Sequence, residues 1–401
     1  MALGAPVRAS FPGRVRREWV VLLLFAIGVA IRVAVNNVTS FSAADETTYV
    51  NYSRAIVAEP SGYRGVVQYF LNTPGAWIYP NPSRWISFLV DSLSCRIAPC
   101  DYRTLTWVST LSGIAVLPVV YAVGRRLLSP SAALLGTAFA VTSPLLLGLG
   151  RRALQDEFFV LVIWLALLAV VRLLDGNPRR IDYGLAVVAL GLAFSAKDSF
   201  GVFYVAFAVM FLTQRSRTLR WADVSLLVGP PLVFFGGFAL FAGSPGDLIA
   251  LERIVLGLRT NADSYELVTG SGPFYQPILD FIILAPLVTL VAIAGCGAAI
   301  IASPGKERRL VAVTLACFVL FGILLKNVRY AAAVAPMLAL IAGWTVSEKV
   351  LRPRGLLRVG GIAAAAVNAT VEAWVFWTVF VVGGVYDPVI VNLLRAVHAI
   401  P

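Results

Sequence analysis

Eleven apolar runs set the terms for this chain. They cover roughly residues 19–35, 104–124, 130–150, 158–174, 181–197, 199–213, 222–243, 276–302, 310–325, 331–347 and 359–384. Several lie near the lower limit of about 17 residues for a helix that crosses the hydrocarbon core. In lipid, a segment must satisfy its own backbone N–H and C=O groups, so runs of this kind fold as helices. Composition agrees: 59% of the 401 residues are hydrophobic and 13% are charged, well below the roughly 25% charged typical of soluble domains. The expected fold class is an all-α polytopic membrane protein with about 11 transmembrane helices, forming a single domain over 1–401.

A net charge of +12 would suggest nucleic acid if the basic residues were pooled on one soluble face. They are instead dealt into short loops. With the N-terminus cytoplasmic, the inner segments carry Arg125 and Arg126, Arg179 and Arg180, Arg215 and Arg217, Lys306 and Arg308, Lys349 and Arg352, and others. Together these hold more than half of the 33 basic residues. That is the positive-inside pattern, so the charge reports topology and excludes a nucleic-acid partner. The first run is flanked by arginines and lacks a small-residue cleavage site, so it reads as the first transmembrane helix and not as a removable leader.

The loops on the other side are unequal. The first, 36–103, is the longest. It contains a helical piece from Asp45 to Ala58 and an amphipathic piece, Ser83–Leu93, with Trp85, Phe88, Leu89 and Leu93 at helical spacing. Both are expected to be juxtamembrane helices lying along the bilayer surface. The second long loop, 244–275, has a short helical centre. Cys95 and Cys100 fall in the first loop, where an oxidising compartment permits a disulfide; two separate small apolar residues is the other reading. Cys296 and Cys317 lie within spans, as packing residues.

Charged residues at membrane depth are costly and mark functional sites by default. Here they gather at the outward turns. Asp45 and Glu46 follow the first span, in "DETTYVNYSR". Arg151, Arg152, Asp156 and Glu157 separate the third and fourth spans. Lys197 and Asp198 separate the fifth and sixth. Lys326, Arg329 and Tyr330 separate the ninth and tenth. Each has a plainer reading. Asp45 could cap the helix after it, Lys197 and Lys326 could snorkel to the interface, Arg152 and Asp156 could form an i,i+4 pair, and Tyr49 and Tyr52 could belong to an aromatic belt.

The segment "DETTYVNYSR" resembles the first-loop motif of the GT-C glycosyltransferases related to protein O-mannosyltransferases and aminoarabinose transferase. The matching positions are Asp45, Glu46, Tyr49 and Arg54. An Arg…Asp pair before the fourth helix (Arg152, Asp156), a Lys closing the fifth (Lys197) and an "RY…P" segment opening a late one (Arg329, Tyr330, Pro336) are similar in order. The likeness spans roughly 15–350. The sole histidine, His398, is near the C-terminus, so a histidine metal ligand has no counterpart, and no soluble C-terminal domain for an acceptor is expected.

The resemblance implies a polyprenyl-phosphate-linked sugar as donor, with the active site facing outward, and an acceptor lipid, glycan or protein. Under it, Asp45 and Glu46 are the catalytic candidates, with Asp45 as base toward an acceptor hydroxyl. Lys197, Arg329, Arg152 and Lys326 would bind the donor phosphate and balance its growing charge. Tyr49, Tyr52, Asp156 and Tyr330 would contact substrate. Glu46 or Asp156 could orient sugar hydroxyls or hold a divalent ion; oxygen ligands would favour Mg or Mn over Zn, although no spacing demands a metal. A transporter or flippase of lipid-linked sugars would use the same cavity without breaking a bond, and a non-catalytic membrane subunit would merely retain it. Residue usage points to a bacterial inner membrane.

Overall fold

The computed structural model describes residues 11–36, 44–59, 61–77, 80–175, 178–214, 221–260, 273–301, 305–324 and 327–382. Among these residues the secondary structure is helical, with no strand. All eleven apolar runs become helices or broken helices. They are α1 (Phe11–Asn36), α5 (Tyr102–Leu127), the pair α6 (Pro130–Thr142) and α7 (Pro144–Gly150), α8 (Asp156–Leu174), α9 (Arg180–Ala196), α10 (Phe200–Gln214) and α11 (Trp221–Phe241). There follow the pair α13 (Gln276–Leu284) and α14 (Pro286–Ile301), α15 (Glu307–Leu324), α16 (Ala335–Trp344) and α17 (Leu357–Val375). The last two run on as π-helical turns, Thr345–Leu351 and Phe376–Val382. Six of these helical stretches are long and apolar enough to span a bilayer unaided, and α6 with α7 makes a seventh. The protein is an integral membrane protein.

Two expected continuous spans are broken. The run 130–150 bends by 52° between α6 and α7, and 276–302 breaks at Ala285. Both second halves begin with a proline, Pro144 and Pro286. Proline lacks the N–H that would continue the ladder and clashes with the preceding turn.

Between the spans lie α2 (Ala44–Ala58), α3 (Gly62–Asn72), α4 (Trp85–Ile97) and α12 (Pro245–Thr260). The amphipathic piece forms α4, and its apolar side packs on other helices of the protein. Trp85 and Phe88 are buried: the Trp85 indole N–H donates to the Phe234 carbonyl at 3.1 Å, and its ring stacks on Phe241. Leu93, expected on the same stripe, is exposed. The buried face instead includes Ser87, Asp91 and Ser92, because α4 packs against α2, α5 and α9 and meets polar partners there. Cys95 and Cys100 form a disulfide, and the Arg54 side chain donates to the Cys100 carbonyl at 2.6 Å.

The bundle has two polar ends. At one, Asp175, just past α8, accepts from Arg126 at 3.2 Å and Lys306 at 3.0 Å, with Arg309 at 3.6 Å. At the other, the start of α8 meets the start of α2. The 19 residues of α8 rise about 28 Å between them, close to the thickness of a hydrocarbon core.

Candidate active site

α2 begins with Asp45 and Glu46, and its first turn points at the irregular segment 151–155 between α7 and α8. That segment carries no helical ladder, so its backbone needs other partners. Two hydroxyls of α5 supply some of them: Ser109 donates to the Leu154 carbonyl at 2.5 Å and Thr110 to the Gly150 carbonyl at 2.8 Å. The segment is thereby fixed, with Arg152 turned toward α2. Arg152 donates twice to Glu46, at 2.9 and 2.6 Å, and the Ala153 N–H donates to the same carboxylate at 2.9 Å. Both side chains are buried. A bidentate, charge-assisted pair of this kind sets geometry as well as attraction. Arg151, its neighbour, turns the opposite way, toward the Phe376 ring and the Phe380 carbonyl.

A second group of charges lies beside the first. Asp156, the first residue of α8, pairs with Lys197 through one oxygen and accepts from Arg329 at 3.1 Å through the other. The same Arg329 nitrogen donates to Asp45 at 3.1 Å. Arg329 is held by a local turn, in which its N–H donates to the Asn327 side chain at 2.9 Å. The Lys197 ammonium stands 4.4 Å from the centre of the Tyr330 ring, close enough for cation–π attraction. The structure thus brings together Asp45, Glu46, Arg152, Asp156, Lys197, Arg329 and Tyr330 from four separate parts of the sequence. Of the cluster, Asp156 and Lys197 are almost wholly enclosed, whereas the Asp45 side chain keeps 23% of its surface exposed.

Tyr49 is buried with its hydroxyl accepting from Arg84 at 3.0 Å. Burial pushes the phenol well above its ordinary pKa. It is a wall of the site, next to the charges. Tyr52 is not in this group: its ring packs edge-on to Phe88 and borders a separate outer groove. Lys326 lies outside the described residues, as do residues 383–401 at the C-terminus.

The expectation that Glu46 or Asp156 could hold Mg or Mn does not suit the donor set. Glu46 spends both oxygens on Arg152 and accepts a backbone N–H besides, and Asp156 is shared between two cations. No three His, Cys, Asp or Glu side chains converge as a metal site among the described residues.

Several functional candidates escaped the sequence reading. Arg84 sits fully buried between Tyr49 and Asp198, 3.5 Å from the latter. Asp91, on the buried side of α4, accepts from Gln155 at 3.0 Å; burial raises its carboxyl to about 7, against the Gln155 hydrogen bond, which lowers it. Arg32, within the first span, donates to the Val141 carbonyl at 3.2 Å and faces Glu157 across Gly113. A charged residue in the middle of an apolar run was the signal for Arg32. Arg84 and Asp91 carried none, since they read as the polar face of an amphipathic helix.

The fold is shared with known proteins. The chain superimposes on ArnT from Cupriavidus metallidurans bound to undecaprenyl phosphate, with a TM-score of 0.58 at 14% identity, covering 98% of this chain and 76% of that one. It also superimposes on the apo oligosaccharyltransferase of Archaeoglobus fulgidus, with a TM-score of 0.59 at 13% identity, covering 97% of this chain and 57% of that one. The same archaeal enzyme, AglB, in complex with an inhibitory peptide and a dolichol-phosphate gives 0.54 at 13% identity, covering 96% and 56%. The chain therefore spans little more than half the length of the archaeal protein. These likenesses define the class: a polytopic membrane protein of the GT-C fold. More particularly, residues 87–239 match the family described as dolichyl-phosphate-mannose-protein mannosyltransferase, under half of the chain. No curated protein is significantly similar to it in sequence.

Proposed function

We propose that this protein is a membrane glycosyltransferase that moves a sugar from a polyprenyl-phosphate donor to an acceptor hydroxyl on the outer face of a bacterial inner membrane. The observation that carries the reading is Arg329, whose one nitrogen joins Asp45 to the Asp156–Lys197 pair. A partly exposed carboxylate, two cations at a membrane-embedded helix start and an aromatic wall are what such a transfer requires. The family match over 87–239 and the lipid phosphates bound by ArnT and AglB support the same donor chemistry.

In this reading Asp45 takes the proton of the acceptor hydroxyl. The oxygen forms a bond to the anomeric carbon while the bond from that carbon to the phosphate oxygen breaks. The electron pair leaves with the phosphate, so no separate general acid is needed. Lys197 and Arg329 balance the charge that develops there. Attack from the side opposite the phosphate inverts the anomeric centre. Glu46 and Arg152 position the first turn of α2, and Tyr330 keeps Lys197 aimed.

The test uses purified protein and a labelled polyprenyl-phosphate sugar. Asp45→Asn should lower transfer at least a hundredfold without weakening the binding of undecaprenyl phosphate. Lys197→Ala should weaken that binding about tenfold or more. Full turnover by Asp45→Asn would discard the base, and unchanged phosphate affinity in Lys197→Ala would discard the phosphate cradle.

A further inference from the structure

The face of α2 that begins at Asp45 does not end at the charged cluster. Thr48, Tyr52 and Ala55 follow at positions three, seven and ten residues on, which is one side of a helix. Just beyond the helix end, Glu59 continues the line. These residues form one wall of a groove of about 660 Å³, whose other wall comes from α3 and the short 3-10 turn Pro74–Ala76. That volume lies within the range of about 300–1,000 Å³ of small-ligand sites.

The lining has a definite chemistry. Tyr52, on α2, and Tyr69, on α3, stand on opposite walls. Tyr69 is exposed, so its ring face is open to the groove. Asn51, Glu59 and Ser61 add an amide, a carboxylate and a hydroxyl. Aromatic faces accept the C–H side of a sugar ring, and short polar groups hydrogen-bond its edge; both are amphipathic contacts of the kind Tyr makes well. An extended peptide is a poorer fit, since it gains much of its affinity by pairing with a sheet edge. The walls here are helical, with their backbone groups used internally.

We propose that this groove seats the carbohydrate part of an acceptor glycan and leads one of its hydroxyls to Asp45. The proposal rests on the transferase reading for the fate of that hydroxyl, but not for the binding itself. It names the acceptor class as oligosaccharide and assigns Tyr52, Tyr69, Asn51 and Glu59 as its recognition residues.

The experiment is saturation-transfer NMR on the full-length protein in nanodiscs. The probes are a panel of defined gluco-, manno- and galacto-oligosaccharides, with a Ser/Thr-rich peptide as comparison. At least one oligosaccharide should bind the wild type. Its affinity should fall tenfold or more in Tyr69→Ala and in Asn51→Ala, both surface changes, with undecaprenyl phosphate binding unaltered. The proposal is overturned if no oligosaccharide binds, if both variants bind as the wild type does, or if the peptide is the probe whose binding Tyr69→Ala removes. If oligosaccharide binding behaves as expected while Asp45→Asn turns over normally, the groove stands and the base assignment falls.

Discussion

Asp156 is the common counter-ion of Lys197 and Arg329, and the three are buried. Removing one partner from a buried ion pair typically costs about 3–5 kcal/mol, because the charge left behind is out of reach of water. Asp156→Asn should therefore lower the thermal midpoint of the protein in detergent. If undecaprenyl phosphate brings a new anion to the same two cations, as proposed, it should restore more of that midpoint in the variant than it adds to the wild type. An equal shift in both would mean that the phosphate binds elsewhere. Asp91 gives a pH dependence. Its carboxyl is raised from 3.8 to about 7, chiefly by burial, so between those values the folded state holds a proton that the unfolded state has lost. Stability then declines as pH rises from about 4 to 7 and is level above that. Asp91→Asn should flatten the decline, as read from thermal midpoints across pH 4.5–8.

Among the elements, α6 and α16 cross backbone to backbone through glycine. A Cβ placed on Gly343 would come within 2.3 Å of the Gly136 nitrogen, and one on Gly136 within 2.7 Å of the Leu340 Cα. These are backbone atoms, which cannot swing aside. Close approach through small residues is how membrane helices gain packing where no hydrophobic drive exists between them. Gly343→Ala should cost about 1–3 kcal/mol or more from overpacking and reduce the monodisperse fraction on size exclusion. Gly236→Ala, with open space around the site, should be neutral. This crossing was not legible in the sequence, since the glycines of one span do not say which span they will meet. The helices themselves were, because lipid leaves a long apolar run no other fold. The breaks after Ser143 and Ala285 were marked by Pro144 and Pro286, yet hydropathy alone reads through a proline. At the site, the acid and the basic residues were found from their cost at membrane depth. The pairing of Glu46 with Arg152, and of Asp156 with two cations at once, depends on the three-dimensional course of 150–155, which no local pattern specifies. Asp91 and Arg84 were hidden because the polar side of α4, which reads as solvent-facing, is buried against its neighbours.

For the molecule as a whole, the two polar ends differ in character. One, around Asp175, is a cluster of arginines and lysine tied to a single acid; the other interleaves acids and bases at depth. On the positive-inside rule the first faces the cytoplasm. In otherwise intact cells, a maleimide that does not cross membranes should label Gly75→Cys, while Arg354→Cys should react only after permeabilisation. The reverse pattern would invert the orientation and move the proposed chemistry to the wrong leaflet. Arg329 links these large-scale features to turnover. The same nitrogen grips the start of α2 and the start of α8, so on the proposed reading an incoming lipid phosphate would compete with Asp45 for it. The proposed base would then be held until cargo arrives and held again once the spent carrier departs. Such a catch would keep the acid paired, and so idle, whenever the carrier's seat is empty.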